Sequence, residues 1–411
     1  MTSSSSEGAP APVSAPPPVL ASSKLILGIS LVLIAFNLRP LFSSASALLP
    51  EIRSTLGLTS FAASLLTTLP VVCLGLFSPL APKLSQRFGT ERTLLFVLLL
   101  LALGTALRGL GSVPLLFLGT ALAGACIATG NVLLPGLVKR DFPEKTALLT
   151  GFYTMALCAG AASAAGLTLP IEHMLSGSLN GALAIWALPA CLVAALWFPQ
   201  ALQAHGHARR ASYRVDGIWR DPLAWKVTFF MGLQSALAYC VFGWLVPILR
   251  ERGLEGVTAG AIVSVSVMVQ AAACLIVPQI SARAKDQRLV NVLLVAIAVI
   301  ALLGLLFAPL STVWIWAVLQ GIGQGGLIAM AMTVIVLRSP DAHVAAHLSS
   351  MAQCVGYLLA AVGPLVVGLL RGWTGSFNAS AILFILVGLG AAFNGWGAGR
   401  AGHVGVRSVR V

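Results

Sequence analysis

Twelve apolar segments follow one another along this chain, and each is long enough to cross a lipid bilayer. A membrane-spanning α-helix needs about 20 apolar residues, and in lipid every backbone N–H and C=O group must bond within the protein. The segments therefore predict an all-α membrane protein with twelve transmembrane helices. Their predicted boundaries are 24–48, 58–80, 93–110, 114–138, 146–169, 179–198, 223–248, 258–280, 289–308, 312–337, 345–370 and 377–397.

The composition excludes several soluble classes of protein. Hydrophobic residues make up 58% of the 411 residues and charged residues 9%, against about 45–50% and about 25% in a typical soluble domain. All twelve carboxylates lie in loops, in tails or at the ends of the apolar segments. Neither a phosphate-binding Gly-x-x-x-x-Gly-Lys-Ser/Thr loop nor a His-Glu-x-x-His helix occurs. We therefore expect no enzymatic activity, no cofactor and no metal site.

The positive charges are distributed unequally between the two sides of the predicted membrane domain. Nineteen of the 25 Lys and Arg residues fall on the side of the N-terminus, and Arg39 alone lies deep inside a segment. Such an excess marks the cytoplasmic side. It predicts a multi-pass protein of the inner (plasma) membrane with both termini in the cytoplasm, and it explains the net charge of +13 without a nucleic-acid partner. The five cations on the other side are Arg53, Arg108, Arg250, Arg252 and Arg371.

The chain divides into two similar halves. Its longest polar interruption falls between the sixth and seventh segments, and Pro82, Ser85 and Arg87 of the first half have counterparts in Pro278, Ser281 and Arg283 of the second. A duplicated six-helix unit is typical of alternating-access transporters. The predicted organisation is a disordered cytoplasmic tail (1–23), a first six-helix bundle (24–198), a cytoplasmic linker (199–222), a second six-helix bundle (223–397) and a cytoplasmic tail (398–411).

Arg39 is the one ionisable residue deep inside an apolar segment, within the stretch Asn37-Leu38-Arg39-Pro40. An arginine at the bilayer centre costs about 2.5–3.5 kcal/mol, so we expect it to face an interior cavity. Pro40 should kink the helix, because it lacks an N–H group and clashes with the carbonyl group of Phe36. Two interpretations are open. Arg39 bonds the carbonyl groups freed by the kink, or it anchors an anion or a strong dipole, since a planar guanidinium suits carboxylate-like or nitro-like oxygens.

Uncharged polar side chains lie at a depth comparable to that of Arg39 in other segments. Two pairs, Gln320 with Gln324 and Gln353 with Tyr357, are four residues apart and therefore share a helix face. The alternative for each glutamine is an interhelical hydrogen bond worth about 0.6–2 kcal/mol. Together with Arg39, these residues favour a polar site near the midplane. The predicted substrate-binding residues are Arg39, Asn37, Asn131, Tyr153, Gln234, Tyr239, Gln324, Gln353 and Tyr357, with the three tyrosines as aromatic walls.

Several short stretches resemble the major facilitator superfamily and, within it, the cyanate and 2-nitroimidazole transporter family. The resemblance covers residues 24–397, and it implies the two-bundle fold and the transport of small planar polar solutes or anions. It also implies central residues on the first, fourth, fifth, seventh, tenth and eleventh helices. The stretches that carry it are 37–40 (NLRP), 49–53 (LPEIR), 66–70 (LTTLP), 130–135 (GNVLLP), 139–143 (KRDFP), 351–353 (MAQ) and 356–357 (GY).

The chain departs from the superfamily in two places. The signature between the second and third helices has Asp-Arg-x-Gly, whereas this chain has Gln86-Arg87-Phe88-Gly89, so the usual carboxylate is missing. Residues 159–166 lack the proline of the proton-driven drug exporters, which disfavours an exporter. The predicted gating residues at the cytoplasmic loops are Gln86, Arg87, Gly89, Arg92, Lys139 and Asp141.

The leading functional hypothesis is a secondary active or facilitative transporter that works by alternating access. Its solute would be small, planar and polar, either a cyanate-like anion or a 2-nitroimidazole-like molecule. The alternatives are a polyspecific drug or metabolite exporter of the same superfamily and a ligand sensor built on a transporter scaffold. The expected partners are the solute and the lipid bilayer, with coupling to protons or to a counter-ion left open, and a monomer is expected.

Overall fold

The computed structural model describes residues 21–203, 213–215, 217–281, 286–406 and 408–410. Within these residues, twelve helical segments are long and apolar enough to cross a membrane, which confirms the prediction. The segments are Leu25–Ala47, Ser60–Phe77, Thr90–Leu107, Val113–Asp141, Leu148–Met174, Leu179–Leu202, Pro222–Glu251, Gly256–Ser281, Arg288–Phe307, Leu310–Leu337, Val344–Thr374 and Ser380–Ala398.

Some of these segments are divided, and short helices and strands lie between others. The first-half helices are α1 (Ala21–Asn37), α2 (Pro40–Ala47), α3 (Leu49–Leu56), α4 (Ser60–Phe77), α5 (Leu80–Phe88), α6 (Thr90–Leu107), α7 (Val113–Asp141), α8 (Thr146–Met174), α9 (Leu179–Ala184) and α10 (Ala187–Gln203). The second-half helices are α11 (Pro222–Glu251), α12 (Gly256–Ser281), α13 (Arg288–Phe307), α14 (Val313–Leu337), α15 (Ala342–Thr374) and α16 (Ser380–Ala398). The strands are β1 (Tyr213–Val215) and β2 (Ser408–Arg410).

The first membrane segment is interrupted at Arg39 and is not merely kinked there. α1 ends at Asn37, and Pro40 is the first residue of α2. A proline is tolerated at the first helical position because its missing N–H group has no intrahelical acceptor there. Arg39 itself has non-helical backbone angles (φ −121°, ψ −25°). Because of the break, the Arg39 side chain does not take the direction that a continuous helix would give it.

The two halves of the chain pack against each other along three helix pairs. α8 contacts α12, α4 contacts α15, and α2 contacts α11. Glycines allow close approach in these interfaces. A Cβ atom added to Gly260 of α12 would overlap the carbonyl oxygen of Ala165 on α8. One added to Gly75 of α4 would lie 2.9 Å from the carbonyl oxygen of Cys354 on α15. The halves are therefore two six-helix bundles in close contact.

An ion pair holds the two bundles together at one end, here called the Glu51 end. Arg250 at the end of α11 places Nη2 2.7 Å from Oε1 of Glu51 on α3, and its Nη1 donates to Oε2 at 2.9 Å. Two parallel hydrogen bonds of this kind are the geometry in which arginine binds a carboxylate most strongly. The pair connects the first bundle to the second, so the structure is closed at the Glu51 end.

The opposite end, here called the Asp141 end, carries the start of α1 and the segment that follows α16. There β1 pairs antiparallel with β2, with Arg214 opposite Val409. Arg338, which follows α14, is buried and donates to the carbonyl oxygens of Ala398 at 2.9 Å and Gly399 at 3.2 Å. Desolvation lowers the pKa of Arg338. These contacts tie the segment after α16 to the second bundle.

The predicted organisation differs from the structure at its boundaries. α10 continues to Gln203, past the predicted linker start at 199, and α1 begins at Ala21, within the predicted tail 1–23. Residues 1–20 of that tail lie outside the described residues. The tail 398–411 and the linker 199–222 meet through the two strands. The division into domains remains a prediction.

Candidate substrate-binding site

Arg39 lies half-buried between the two bundles. Its Nη1 donates to the hydroxyl oxygen of Tyr239 on α11 at 3.3 Å. Its Cζ atom lies 5.8 Å from the ring centre of Phe42 and 5.9 Å from that of Phe242, within the range of a cation–π contact. Among the described residues, no carboxylate oxygen lies within 4 Å of the guanidinium group. Arg39 therefore holds a positive charge with aromatic neighbours and, in the part of the chain that the structure describes, no anionic partner.

The tyrosines of the predicted site surround this charge. The ring centre of Tyr239 lies 6.1 Å from that of Tyr357 in an edge-to-face arrangement and 5.5 Å from that of Phe42. Tyr239 and Tyr357 are buried, whereas Tyr153 is half-buried. Tyr357 and Tyr153 both interact electrostatically with Arg39. The structure thus brings the three predicted tyrosines to Arg39 from α8, α11 and α15.

The two asparagines of the predicted site differ in their contacts. Asn37 is buried, and its Nδ2 donates to the carbonyl oxygen of Leu33 at 2.9 Å, so its amide nitrogen is used within α1. Asn131 follows Gly130, where an added Cβ would lie 3.0 Å from a methyl group of Leu38. Asn131 therefore lies next to the break in the first segment. Its Nδ2 is buried and has no hydrogen-bond partner among the described residues.

The glutamines of the second bundle form a small network. Nε2 of Gln324 on α14 donates to the main-chain oxygen of Gln234 on α11 at 3.1 Å and lies 3.3 Å from its side-chain oxygen. For Gln324, this contact is the interhelical hydrogen bond that the sequence analysis gave as the alternative to solute binding. Oε1 of Gln324 and both polar atoms of Gln320 are buried without partners within the described ranges. Gln353 is half-buried and donates to the hydroxyl oxygen of Ser349 one turn earlier, at 2.9 Å.

The predicted gating residues lie at the Asp141 end, where they are brought together only in part. Gln86, Arg87, Arg92 and Lys139 are exposed, while Gly89 is buried with a φ of +91°. Nε of Arg92 lies 3.5 Å from the carbonyl oxygen of Ala201 and so links α6 to α10. Arg87 stacks on its neighbour Phe88 at 5.3 Å.

The ionic link at this end involves two residues, Glu91 and Arg140, that the predicted gating set did not include. Arg140 is 2.5 Å from Oε1 of Glu91 and 2.6 Å from Oδ1 of Asp141. Glu91 thus places a carboxylate at this end on α6, the helix after the one that carries Gln86. The sequence signal for this ion pair was an acidic residue at 91 and a basic pair at 139–140, both in predicted loops on the same side of the membrane.

Comparisons with known proteins agree with this architecture. Residues 25–319 match the model of the Major Facilitator Superfamily. The chain is 41% identical to the uncharacterized transporter YycB of Bacillus subtilis over 92% of this chain and 94% of that protein. It is 40% identical to the 2-nitroimidazole transporter of Escherichia coli over 92% and 96% of the two chains, and 29% identical to the E. coli cyanate transport protein CynX over 84% and 90%.

A solved structure shows the same fold. The inward-facing, occupied structure of a bacterial homologue of the human lysosomal transporter Spinster covers 93% of this chain and 97% of its own, with a TM-score of 0.71 and 16% identity. Two six-helix bundles around a polar site define a solute transporter. The chain belongs to the major facilitator superfamily. It is a multi-pass membrane transporter of small solutes and not an enzyme.

Proposed function

We propose that this transporter carries a compact, planar solute whose oxygen atoms accept hydrogen bonds from Arg39. The observation that supports this proposal is the half-buried Arg39 guanidinium group, which donates to Tyr239 and has no carboxylate partner among the described residues. A nitro group or a small anion supplies the oxygens that a guanidinium fork binds in pairs. The names of two relatives, a 2-nitroimidazole transporter and a cyanate transport protein, support the same class.

The unpartnered polar atoms favour a solute that both accepts and donates hydrogen bonds. The Arg39 guanidinium group, bonded to Tyr239 through Nη1, and the unpartnered Nδ2 of Asn131 are donors of the first bundle, whereas the unpartnered Oε1 of Gln324 is an acceptor of the second. A buried polar atom without a partner costs about 1–3 kcal/mol. A solute that bonds both the donors and the acceptor should therefore bind more tightly than one that bonds only the donors. A 2-nitroimidazole-like molecule has nitro oxygens and a ring N–H group. Cyanate has acceptors only, and we propose it as the weaker solute.

The aromatic residues would set the size and shape of the pocket. Tyr239 packs tilted against Phe42 and edge to face against Tyr357, and these flat rings would be aromatic walls for a planar ligand. A neutral planar solute also avoids an energetic difficulty. An anion entering a negative-inside cell moves against about 2.3 kcal/mol per 100 mV, which requires coupling or exchange.

We further propose that the protein lies in the inner membrane with the Asp141 end and both termini on the cytoplasmic side, and that it is a monomer.

Flux in proteoliposomes tests the proposal. Vesicles containing wild-type protein should accumulate or exchange labelled 2-nitroimidazole, and cyanate more slowly. Arg39→Lys should abolish this flux, because a point charge replaces the planar fork. The matched control is Arg53→Lys, which changes an exposed arginine that bonds Ser60 outside the site. Unchanged flux in folded Arg39→Lys would contradict the proposal. Flux of bulky cationic drugs that is insensitive to Arg39 would instead favour the polyspecific exporter.

A further inference from the structure

A cavity of about 760 Å³ lies between α1 and α8 at the Asp141 end of the first bundle. Leu25, Ile29 and Val32 line it from α1, and Leu148 and Phe152 line it from α8. Sites that bind small molecules have volumes of about 300–1,000 Å³ and mostly apolar walls with a few polar groups. The cavity, here called the α1–α8 groove, therefore has the size and the character of a ligand site.

The groove follows the helices and faces the bilayer. Its lining on α1 runs from Leu25 to Leu33, eight residues that rise about 12 Å along the helix. Leu25, Ile29 and Leu148 are exposed, and all three belong to apolar membrane segments, so their exposed surface meets lipid. An apolar wall of this length suits an acyl chain, whereas it offers few partners to the compact polar solute proposed above.

The inner side of the groove is closed by side chains that belong to the protein core. Phe142 and Leu149 line the groove and pack against the hydrophobic core. A Cβ atom added to Gly28 of α1 would lie 3.5 Å from the ring of Phe142 and 3.8 Å from a methyl group of Leu149. The groove is therefore open to the bilayer and closed toward the interior, and an occupant reaches it from the lipid.

The charged residues that line the groove lie together in the turn between α7 and α8. Arg140 donates to both carboxylate oxygens of Asp141, at 2.6 and 2.9 Å, and so compensates that charge. Glu144 and Lys145 are exposed, and neither forms an ion pair within 4 Å in the part of the chain that the structure describes. The rim of the groove thus offers one carboxylate and one ammonium group that are adjacent in sequence.

The two rim charges complement a zwitterionic headgroup. Clusters of Lys and Arg beside a membrane attract anionic lipids, but here Glu144 accompanies Lys145 and would repel a headgroup that carries only negative charge. A headgroup with both charges can satisfy both residues. A primary ammonium group also donates charge-assisted hydrogen bonds to a carboxylate, whereas a quaternary ammonium group has no N–H to donate.

We propose that the α1–α8 groove binds one zwitterionic phospholipid with a primary ammonium group, of the phosphatidylethanolamine class. An acyl chain lies along residues 25–33, the ammonium group donates to Glu144, and the phosphate group accepts from Lys145. The lipid is a bound partner and not the transported solute, so its binding does not depend on the function proposed for Arg39.

Thermal unfolding of delipidated protein in detergent tests this site with three lipids that share the same acyl chains. Phosphatidylethanolamine should stabilise wild-type protein saturably and at a lower half-saturating concentration than phosphatidylcholine or phosphatidylglycerol. Glu144→Gln should raise the half-saturating concentration of phosphatidylethanolamine about two- to fivefold, the effect of one exposed ionic contact. The matched control is Glu255→Gln, an exposed glutamate between α11 and α12, which should change nothing.

A second pair of variants tests the groove itself. Val32→Trp places a large side chain in the groove and should abolish the lipid effect. Leu389→Trp, at an exposed position of α16, should keep it. Arg39→Gln should also keep it, because the lipid site is separate from the solute site.

Three results would overturn the lipid site. Equal half-saturating concentrations for the three lipids, or a lower one for phosphatidylglycerol, would contradict recognition of the zwitterionic headgroup. An undiminished lipid effect in folded Val32→Trp would place the lipid outside the groove. An unchanged dependence on phosphatidylethanolamine in Glu144→Gln would show that the rim carboxylate is not used. If Val32→Trp does not fold, Glu144→Gln decides, because it changes one exposed side chain.

Discussion

Nη1 of Arg39 donates to the hydroxyl oxygen of Tyr239 at 3.3 Å, a contact that joins the first bundle to the second. The two residues lie 200 positions apart in the chain and meet between α2 and α11. The bond sets the orientation of the guanidinium group and leaves its other donors for a solute. A solute bound at Arg39, as we propose, would lie where the two bundles meet, as alternating access requires of a central site.

Removal of the Tyr239 hydroxyl should weaken solute binding. In Tyr239→Phe the aromatic packing against Phe42 and Tyr357 stays, but the guanidinium group loses a hydrogen bond worth about 1.5 kcal/mol. We expect the affinity for 2-nitroimidazole to fall about tenfold, as measured by binding to purified protein. The matched control is Tyr357→Phe, whose ring also packs on Tyr239 but whose hydroxyl makes no hydrogen bond to Arg39 among the described residues. Equal losses in both variants would show that the hydrogen bond from Arg39 to Tyr239 has no specific role in solute binding.

The ion pair between Glu51 and Arg250 should stabilise the conformation that is closed at the Glu51 end. Both side chains are about one-quarter exposed, so the pair is worth up to about 1 kcal/mol. Glu51→Gln should raise the fraction of open molecules up to about fivefold, as read from spin-label distances across that end. Exchange of the two charges in Glu51→Arg/Arg250→Glu should restore closure. Glu251→Gln is the control, because Glu251 pairs with Arg371 inside the second bundle. An equal rise in the open fraction in Glu251→Gln would contradict a specific role of the Glu51–Arg250 pair in closure.

Close packing at Gly260 should be required for the same closure. Its α12 backbone approaches the carbonyl group of Ala165 on α8, and a methyl group there would overlap that oxygen. Gly260→Val should therefore favour molecules open at the Glu51 end and slow transport, while the protein remains folded in detergent. Gly136→Val is a matched control, because an added Cβ at this helical glycine of α7 meets nothing within 4 Å. Unchanged spin-label distances across the Glu51 end and unchanged flux in Gly260→Val would contradict the requirement for close packing at Gly260.

Arg338 should stabilise the second bundle at the Asp141 end. Its side chain bonds two main-chain carbonyl groups after α16 and the side chain of Gln287 before α13. Arg338→Met would leave these buried acceptors without a donor, at about 1–3 kcal/mol for each unsatisfied group. We expect a lower thermal midpoint with no change in solute affinity. Arg400→Met, at an exposed position nearby, should leave the midpoint unchanged. A lost affinity in Arg338→Met would instead indicate a role in the transport cycle.

The twelve spans and a distortion near Pro40, predicted as a kink and observed as a break, could be located from the sequence because both depend on local properties. An apolar run and a proline act through the residues next to them. Contacts between distant residues could not be predicted in this way. The bond from Arg39 to Tyr239 and the pairing of Gln234 with Gln324 depend on how α2, α11 and α14 are arranged. Arg108 looked like a loop cation because it ends an apolar run, and only the packing of α6 against α7 shows that it is buried.

The most direct test of the central claim is the binding of 2-nitroimidazole to purified wild-type protein and to Arg39→Gln, measured by calorimetry. Glutamine keeps a polar side chain but removes the charge and the planar fork. The account predicts saturable binding by the wild type, unchanged binding by the control Arg53→Gln, and binding at least about tenfold weaker by Arg39→Gln, since a charge-assisted hydrogen bond contributes about 1.5–3 kcal/mol. Equal affinities for wild type and a folded Arg39→Gln would contradict the assignment of Arg39 as the solute anchor.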